Sequence, residues 1–98
     1  MQPTVDEIAE KARPVFEKYG VTRAQIFGSF ARGEATPKSD VDILVKIDPQ
    51  MGLYSYMDLK EQLEQNLERE VDVVAEGTIN KFMRPYIVPE LKMLYEKE

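Results

Sequence analysis

The stretch GSFARGEATPKSDVDILVKID, residues 28–48, decides how the chain is read. Its second half, DVDILVKI, alternates as a β-strand does. Val41, Ile43, Val45 and Ile47 fall on one face, and Asp40, Asp42, Leu44 and Lys46 on the other. Asp40 and Asp42 therefore point the same way, about 6.5–7 Å apart. Carboxylates so placed repel each other, and partial burial raises the pKa of at least one. A divalent cation between them relieves the repulsion. Mg²⁺ prefers hard oxygen ligands, commonly takes one or two protein carboxylates, and completes its shell with water and substrate phosphates. Solvated acids at the start of a strand are the plainer alternative.

Upstream, Gly28-Ser29 lies between a short strand and what reads as a single helical turn, Ser29 to Arg32, ended by Gly33. Glycine lets the backbone approach a phosphate closely, free amides at a helix start favour an anion, and Ser29 adds a hydroxyl donor. The same dipeptide also makes ordinary strand-to-helix turns.

Composition narrows the chemistry. The chain has 98 residues, 43% of them hydrophobic, which suits one globular domain spanning residues 1–98. It contains neither cysteine nor histidine, so thiolate chemistry, histidine-ligated zinc and a histidine general base are excluded. Thirteen basic against eighteen acidic residues give a net charge of −5. That argues against an extended nucleic-acid surface, where phosphate neutralisation dominates affinity. It leaves room for a single nucleotide whose charge a metal ion balances. No stretch has the length and apolarity of a membrane span or a signal peptide, so a cytoplasmic protein is expected.

Around the central stretch, periodicity sets the remaining elements. Thr4 with Glu7 forms a capping box, followed by Val5, Ile8, Ala9, Ala12 and Phe16 on one helical face, with a kink or restart expected at Pro14 and a C-cap at Gly20. A strand is expected from Val21 to Phe27. Ser55 is expected to cap a helix through Tyr56, Leu59, Leu63 and Leu67. A third strand runs from about Glu70 to Ala75 and carries Asp72, a third ligand, a base for an attacking hydroxyl, or a solvated position. Thr78 is a candidate cap for a short turn, and the rest reads as helix to Glu98 through Ile87, Leu91, Leu94 and Tyr95. The order implies an α/β (α+β) layer fold, a small mixed sheet packed against helices. No G-x-G-x-x-G or G-x-x-x-x-G-K-[ST] signature is present, which speaks against the doubly wound nucleotide folds.

Residues 30–39 separate Ser29 from Asp40, giving G-S-x10-D-x-D. With GSFARG, SDVDILV, the VDVV of the third strand and the C-terminal helix, this pattern resembles the minimal nucleotidyltransferases. These are the smallest members of the DNA polymerase β-like nucleotidyltransferase superfamily, and the resemblance covers nearly the whole chain. It implies an active site on the sheet's exposed edge, with Gly28 and Ser29 holding the β- and γ-phosphates of a nucleoside triphosphate. Asp40 and Asp42 would bind two Mg²⁺ ions, and Asp72 matches a third acidic position whose role varies. In-line attack on the α-phosphorus would then release pyrophosphate. Arg32, one helical turn from Ser29, contacts a phosphate or an acidic partner group or is an exposed charge, and Lys46 pairs with a carboxylate or a phosphate. Phe30 stands where relatives often carry a basic residue, which leaves that contribution to Arg32 and Lys38.

A chain of this size has no room for the domains that larger superfamily members use to hold an acceptor. The resemblance implies delivery by a partner: a small all-helical toxin with an R-x(4-6)-H ribonuclease motif, onto whose tyrosine hydroxyl the antitoxin transfers AMP from ATP. A module that only masks the toxin, or a nucleotidyltransferase for a small molecule, are the alternatives. Met51, Leu53, Tyr54 and Tyr56, in the segment DPQMGLYSYM of residues 48–57, either form part of a partner surface or tuck under the following helix. The second is the expectation.

Overall fold

The capping box forms as its spacing requires. In the computed structural model, which describes residues 2–97, the Glu7 amide donates to the Thr4 hydroxyl at 3.1 Å and the Thr4 amide donates to the Glu7 carboxylate at 3.3 Å. Helix α1, Val5–Lys18, buries Ile8, Ala12, Val15 and Phe16. It runs unbroken through Pro14, against the expected restart. Pro14 and Glu10 are both exposed, so water can satisfy the carbonyl that the proline leaves without a donor. Gly20, at φ +68°, lies one residue past the cap. Its amide donates to the Glu17 carbonyl and the Val21 amide to the Phe16 carbonyl, a Schellman closure sealed by two fully buried side chains, Phe16 and Val21.

Four strands follow: β1, Arg23–Phe27; β2, Val41–Lys46; β3, Val71–Ala75; and β4, Lys92–Glu96. They form one sheet in the order β3-β2-β1-β4. β1 is antiparallel to β2 and β4, while β2 and β3 are parallel. Parallel strands need a crossover, and helix α3, Leu53–Leu67, supplies it. With α1 it covers one face of the sheet. Ile26, Ile43, Val45 and Val71 pack there, fully buried, against Ile8, Phe16, Leu59 and Leu63. The fold is the expected mixed sheet backed by helices.

The C-terminal third departs from the expected long helix. It comprises a single helical turn, α4, Arg84–Ile87, then a 3-10 turn, Val88–Glu90, then β4. Glu98, where the expected helix ended, lies outside the described residues. Two causes combine. Pro89 interrupts any helix from Ile87 onward. The register of β4 against β1 also shifts between Ala24 and Gln25, a bulge that leaves Leu94 without a direct partner. Leu94 and Tyr95 consequently both join the core, Tyr95 with its ring centroid 5.5 Å from that of Phe16. Leu91, Leu94 and Tyr95 thus imitate a 3-4 helical spacing while lying on or beside a bulged strand.

Smaller differences concern α3 and Thr78. The helix starts at Leu53 with Gly52 as its cap, so Ser55 falls within its first turn. Its buried stripe is Leu59, Leu63 and Leu67, which leaves Leu53 and Tyr54 70% and 85% exposed rather than tucked beneath the helix. Thr78 ends a 3-10 turn and donates its hydroxyl to the Ala75 carbonyl. Because the bulged strand buries Leu94, Leu94→Ala should lower unfolding stability by about 2–4 kcal/mol in a urea titration. Met93→Ala, on an exposed neighbour, should stay within about 0.5 kcal/mol.

Candidate active site

The sheet's second face is where the acids gather. Phe27 on β1 pairs with Asp42 on β2, and Asp42 pairs in register with Asp72 on β3. Paired residues share a face, so all three side chains stand opposite the core. They open onto a cleft of about 480 Å³ whose walls also include Lys60 of α3 and, from the C-terminal segment, Ile79 and Met83. One wall is acidic and the other apolar.

Asp42 is the most perturbed group there. Partial burial, then the charge of Asp72 and a hydrogen bond with it, then the charge of Asp40, push its carboxyl from 3.8 up to about 6; Arg32 pulls weakly the other way. Asp40 is exposed just ahead of β2. Among the described residues no group of three or more acidic side chains has metal-holding spacing. What the sheet assembles is a pair, Asp42 with Asp72, and Asp40 acts on it through its charge. Lys46, at the far end of β2 opposite Arg23, lies outside the cleft walls.

Gly28 closes the near end. It adopts φ +78°, and a Cβ at this position would run into the Asp42 carboxylate. Glycine is thus required both by backbone conformation and by the approach of Asp42. The next four residues form α2, Ser29–Arg32, ended by Gly33. Phe30, the departure from the basic residue of relatives, is buried at 5% exposure beneath the Arg69 guanidinium, which lies 4.9 Å from its ring centroid. Arg69 also donates to the Ser39 carbonyl at 3.1 Å. One side chain therefore ties α2 to the residue before Asp40. Lys38 is exposed in the intervening loop.

Arg32 meets acidic groups, one of the alternatives its position offered, though the sequence did not say which. Its Nη1 donates to both carboxylate oxygens of Glu90, at 3.0 and 3.1 Å, and its Nε donates to Glu34 at 3.3 Å. Glu90 also accepts from the Gly28 amide at 3.1 Å. Lys60, Arg69 and Glu90 were all missed. Only Lys60 left a trace, standing four residues after Tyr56, whose hydroxyl donates to the Val73 carbonyl of β3 and so turns that helical face toward the sheet edge.

Comparison with known proteins accords with this geometry. The polymerase β nucleotidyltransferase family model matches residues 10–98. The chain belongs to that family. This nucleotidyltransferase is 41% identical over 86 residues to the "Putative protein adenylyltransferase" of Methanocaldococcus jannaschii, an alignment covering 88% of this chain and 92% of that one. A solved "putative minimal nucleotidyltransferase" superposes with a TM-score of 0.77 at 30% identity, covering 92% of this chain and 95% of that one. A toxin–antitoxin complex with AMP-PNP shares the fold, with a TM-score of 0.77 at 21% identity over 92% of this chain and 74% of that chain.

The raised pKa of Asp42 fixes the sign of a pH effect. The fold favours the protonated form, so this group's contribution is most favourable below about pH 4 and is lost as pH rises toward 6. In chelator-containing buffer at pH 7, the nucleotidyltransferase carrying Asp42→Asn should be more stable than the parent by about 1 kcal/mol, a figure reduced for solvent screening of a half-exposed group. At pH 4 the gain should vanish. Urea titrations at the two pH values check both.

Proposed function

We propose that residues 1–98 act as one nucleotidyltransferase domain, the antitoxin of a toxin–antitoxin pair, which transfers AMP from ATP to a hydroxyl of a helical partner protein. The observation that carries this reading is the Asp42–Asp72 pair, set beside the Gly28-Ser29 turn at the mouth of a cleft. The names of the relatives support it: one is a protein adenylyltransferase, and the fold is that of a toxin–antitoxin complex holding an ATP analogue.

In this proposal Gly28, Ser29 and Arg32 hold the triphosphate, Asp40 and Asp42 would hold Mg²⁺, and Asp72 serves as a third ligand or as the base. The donor set fits such a cation: hard carboxylate oxygens, crowded until one of them resists ionisation. Bound there, Mg²⁺ would neutralise the acids and polarise phosphoryl oxygens. The chain's own task is positioning. The acceptor oxygen bonds to the α-phosphorus, the bond to the β-phosphate bridge breaks, and pyrophosphate leaves in line. In the base role Asp72, the more exposed acid of the pair, would take the acceptor's proton.

The acceptor side of the proposal rests on surface. Phe82, Met83 and Tyr86 are 74%, 54% and 78% exposed, and Met83 also lines the cleft. An apolar patch continuous with the cleft wall suits a protein that presents its hydroxyl there. With a net charge of −5, a long nucleic acid is a poorer fit. A helical toxin with the R-x(4-6)-H motif, in the cytoplasm, is the partner this proposal expects.

The test mixes the protein with α-labelled ATP, Mg²⁺ and the product of the neighbouring gene. Label should appear on the partner, and Asp42→Asn should reduce it by about a hundredfold or more. If the partner is neutralised equally well by Asp42→Asn and no label is ever transferred, the protein masks its partner and the transferase reading is wrong.

A further inference from the structure

Two of the three residues proposed to hold the triphosphate are already engaged. The Gly28 amide and the Arg32 guanidinium converge on one carboxylate, that of Glu90, through contacts of 3.0–3.1 Å. Glu90 is 62 residues from Gly28 in sequence and 58 from Arg32, and it reaches them from the 3-10 turn between α4 and β4. It is not a solvated side chain that happens to lie near a cation. Its side chain is 27% exposed, and both of its oxygens are used. A carboxylate with both oxygens on one guanidinium nitrogen and one of them also on a backbone amide occupies donors that a phosphate would use.

We propose that Glu90 is an internal stand-in for phosphate, which the triphosphate must displace and which thereby sets nucleotide affinity. The proposal rests on the nucleotide reading above. The two anions cannot share these donors, because a phosphate accepting from Gly28 and Arg32 would be brought against the Glu90 carboxylate, and like charges at hydrogen-bonding range repel strongly. The alternative role, in which Glu90 merely steadies Arg32, is weakened by Glu34. That residue holds the Arg32 Nε at 3.3 Å independently of Glu90. Displacement asks little of the backbone, since rotation about the Glu90 side-chain torsions withdraws the carboxylate while β4 stays paired. The device also keeps the Gly28 turn satisfied before nucleotide arrives, because its amide never lacks an acceptor.

The test measures binding of ATP and of adenosine, each with Mg²⁺, by calorimetry on the full chain, with circular dichroism as the check on folding. Glu90→Ala should tighten ATP about tenfold, the scale of one charge-assisted contact released, and leave adenosine unchanged. Glu90→Gln, which keeps the shape and one acceptor but loses the charge, should fall between Glu90→Ala and the parent. The gain should disappear when Arg32→Ala is added. ATP binding that is unchanged or weaker in both Glu90 variants overturns the stand-in, and weaker binding would assign Glu90 the steadying role. An equal gain for adenosine overturns it too, because the effect would not then lie at the phosphates. If neither the parent nor any variant binds ATP, the nucleotide reading fails and this inference with it. Equal ATP binding by parent and variants removes the inference alone.

Discussion

The structure depends on the pairing of β2 with both of its neighbours. One side of that strand is held antiparallel by β1 and the other parallel by β3. A strand in this position has no free edge, and its alternation leaves only two directions for side chains. Val41, Ile43 and Val45 take the core face and are fully buried. Asp42 is thereby forced onto the opposite face, and the two registers deliver Phe27 and Asp72 beside it. Burying the apolar half of β2 and crowding the acids are one event, so the free energy of the core sustains a repulsion that the acids alone would not tolerate.

The legible part of the sequence was the part written locally. The Gly28-Ser29 turn, the single helical turn ending at Gly33 and the alternation of DVDILVKI each need only a few consecutive residues, and each appears where expected. The parallel neighbour carrying Asp72 was legible for the same reason. The C-terminal segment was misread because a bulge places Leu94 and Tyr95 toward the core together, which a period-based reading takes for a helix. Arg69, Lys60 and Glu90 form a different class. Arg69 and Glu90 bond to residues 30 and 62 positions away, and Lys60 meets the acids only as part of the cleft lining, so none leaves a repeating mark on the chain.

Around the cleft, charge is arranged as two opposed clusters. Asp40, Asp42 and Asp72 concentrate negative charge on β2 and β3, while Arg32 and Arg69 bracket the loop that leads into β2. Arg69 is committed to structure, stacked on Phe30 and bonded to the Ser39 carbonyl. Arg32 is the adaptable one, more exposed and divided between Glu34 and Glu90. A net charge of −5 does not prevent such a cleft from receiving an anion, because what a phosphate meets is set by the nearest few groups within a Debye length.

The bulged pairing of β4 with β1 also bears on how the protein forms. Arg23 meets Glu96, and Ala24 meets Tyr95, so this ladder closes a loop of about seventy residues. The β1–β2 pair and the crossover through α3 to β3 join much nearer segments. Contact-order reasoning therefore places the acidic wall early and the docking of the C-terminal strand late. Until that strand docks, the carboxylates face open water and the apolar wall of the cleft is missing. The chain gains its chemistry last, at the step that costs the most loop entropy.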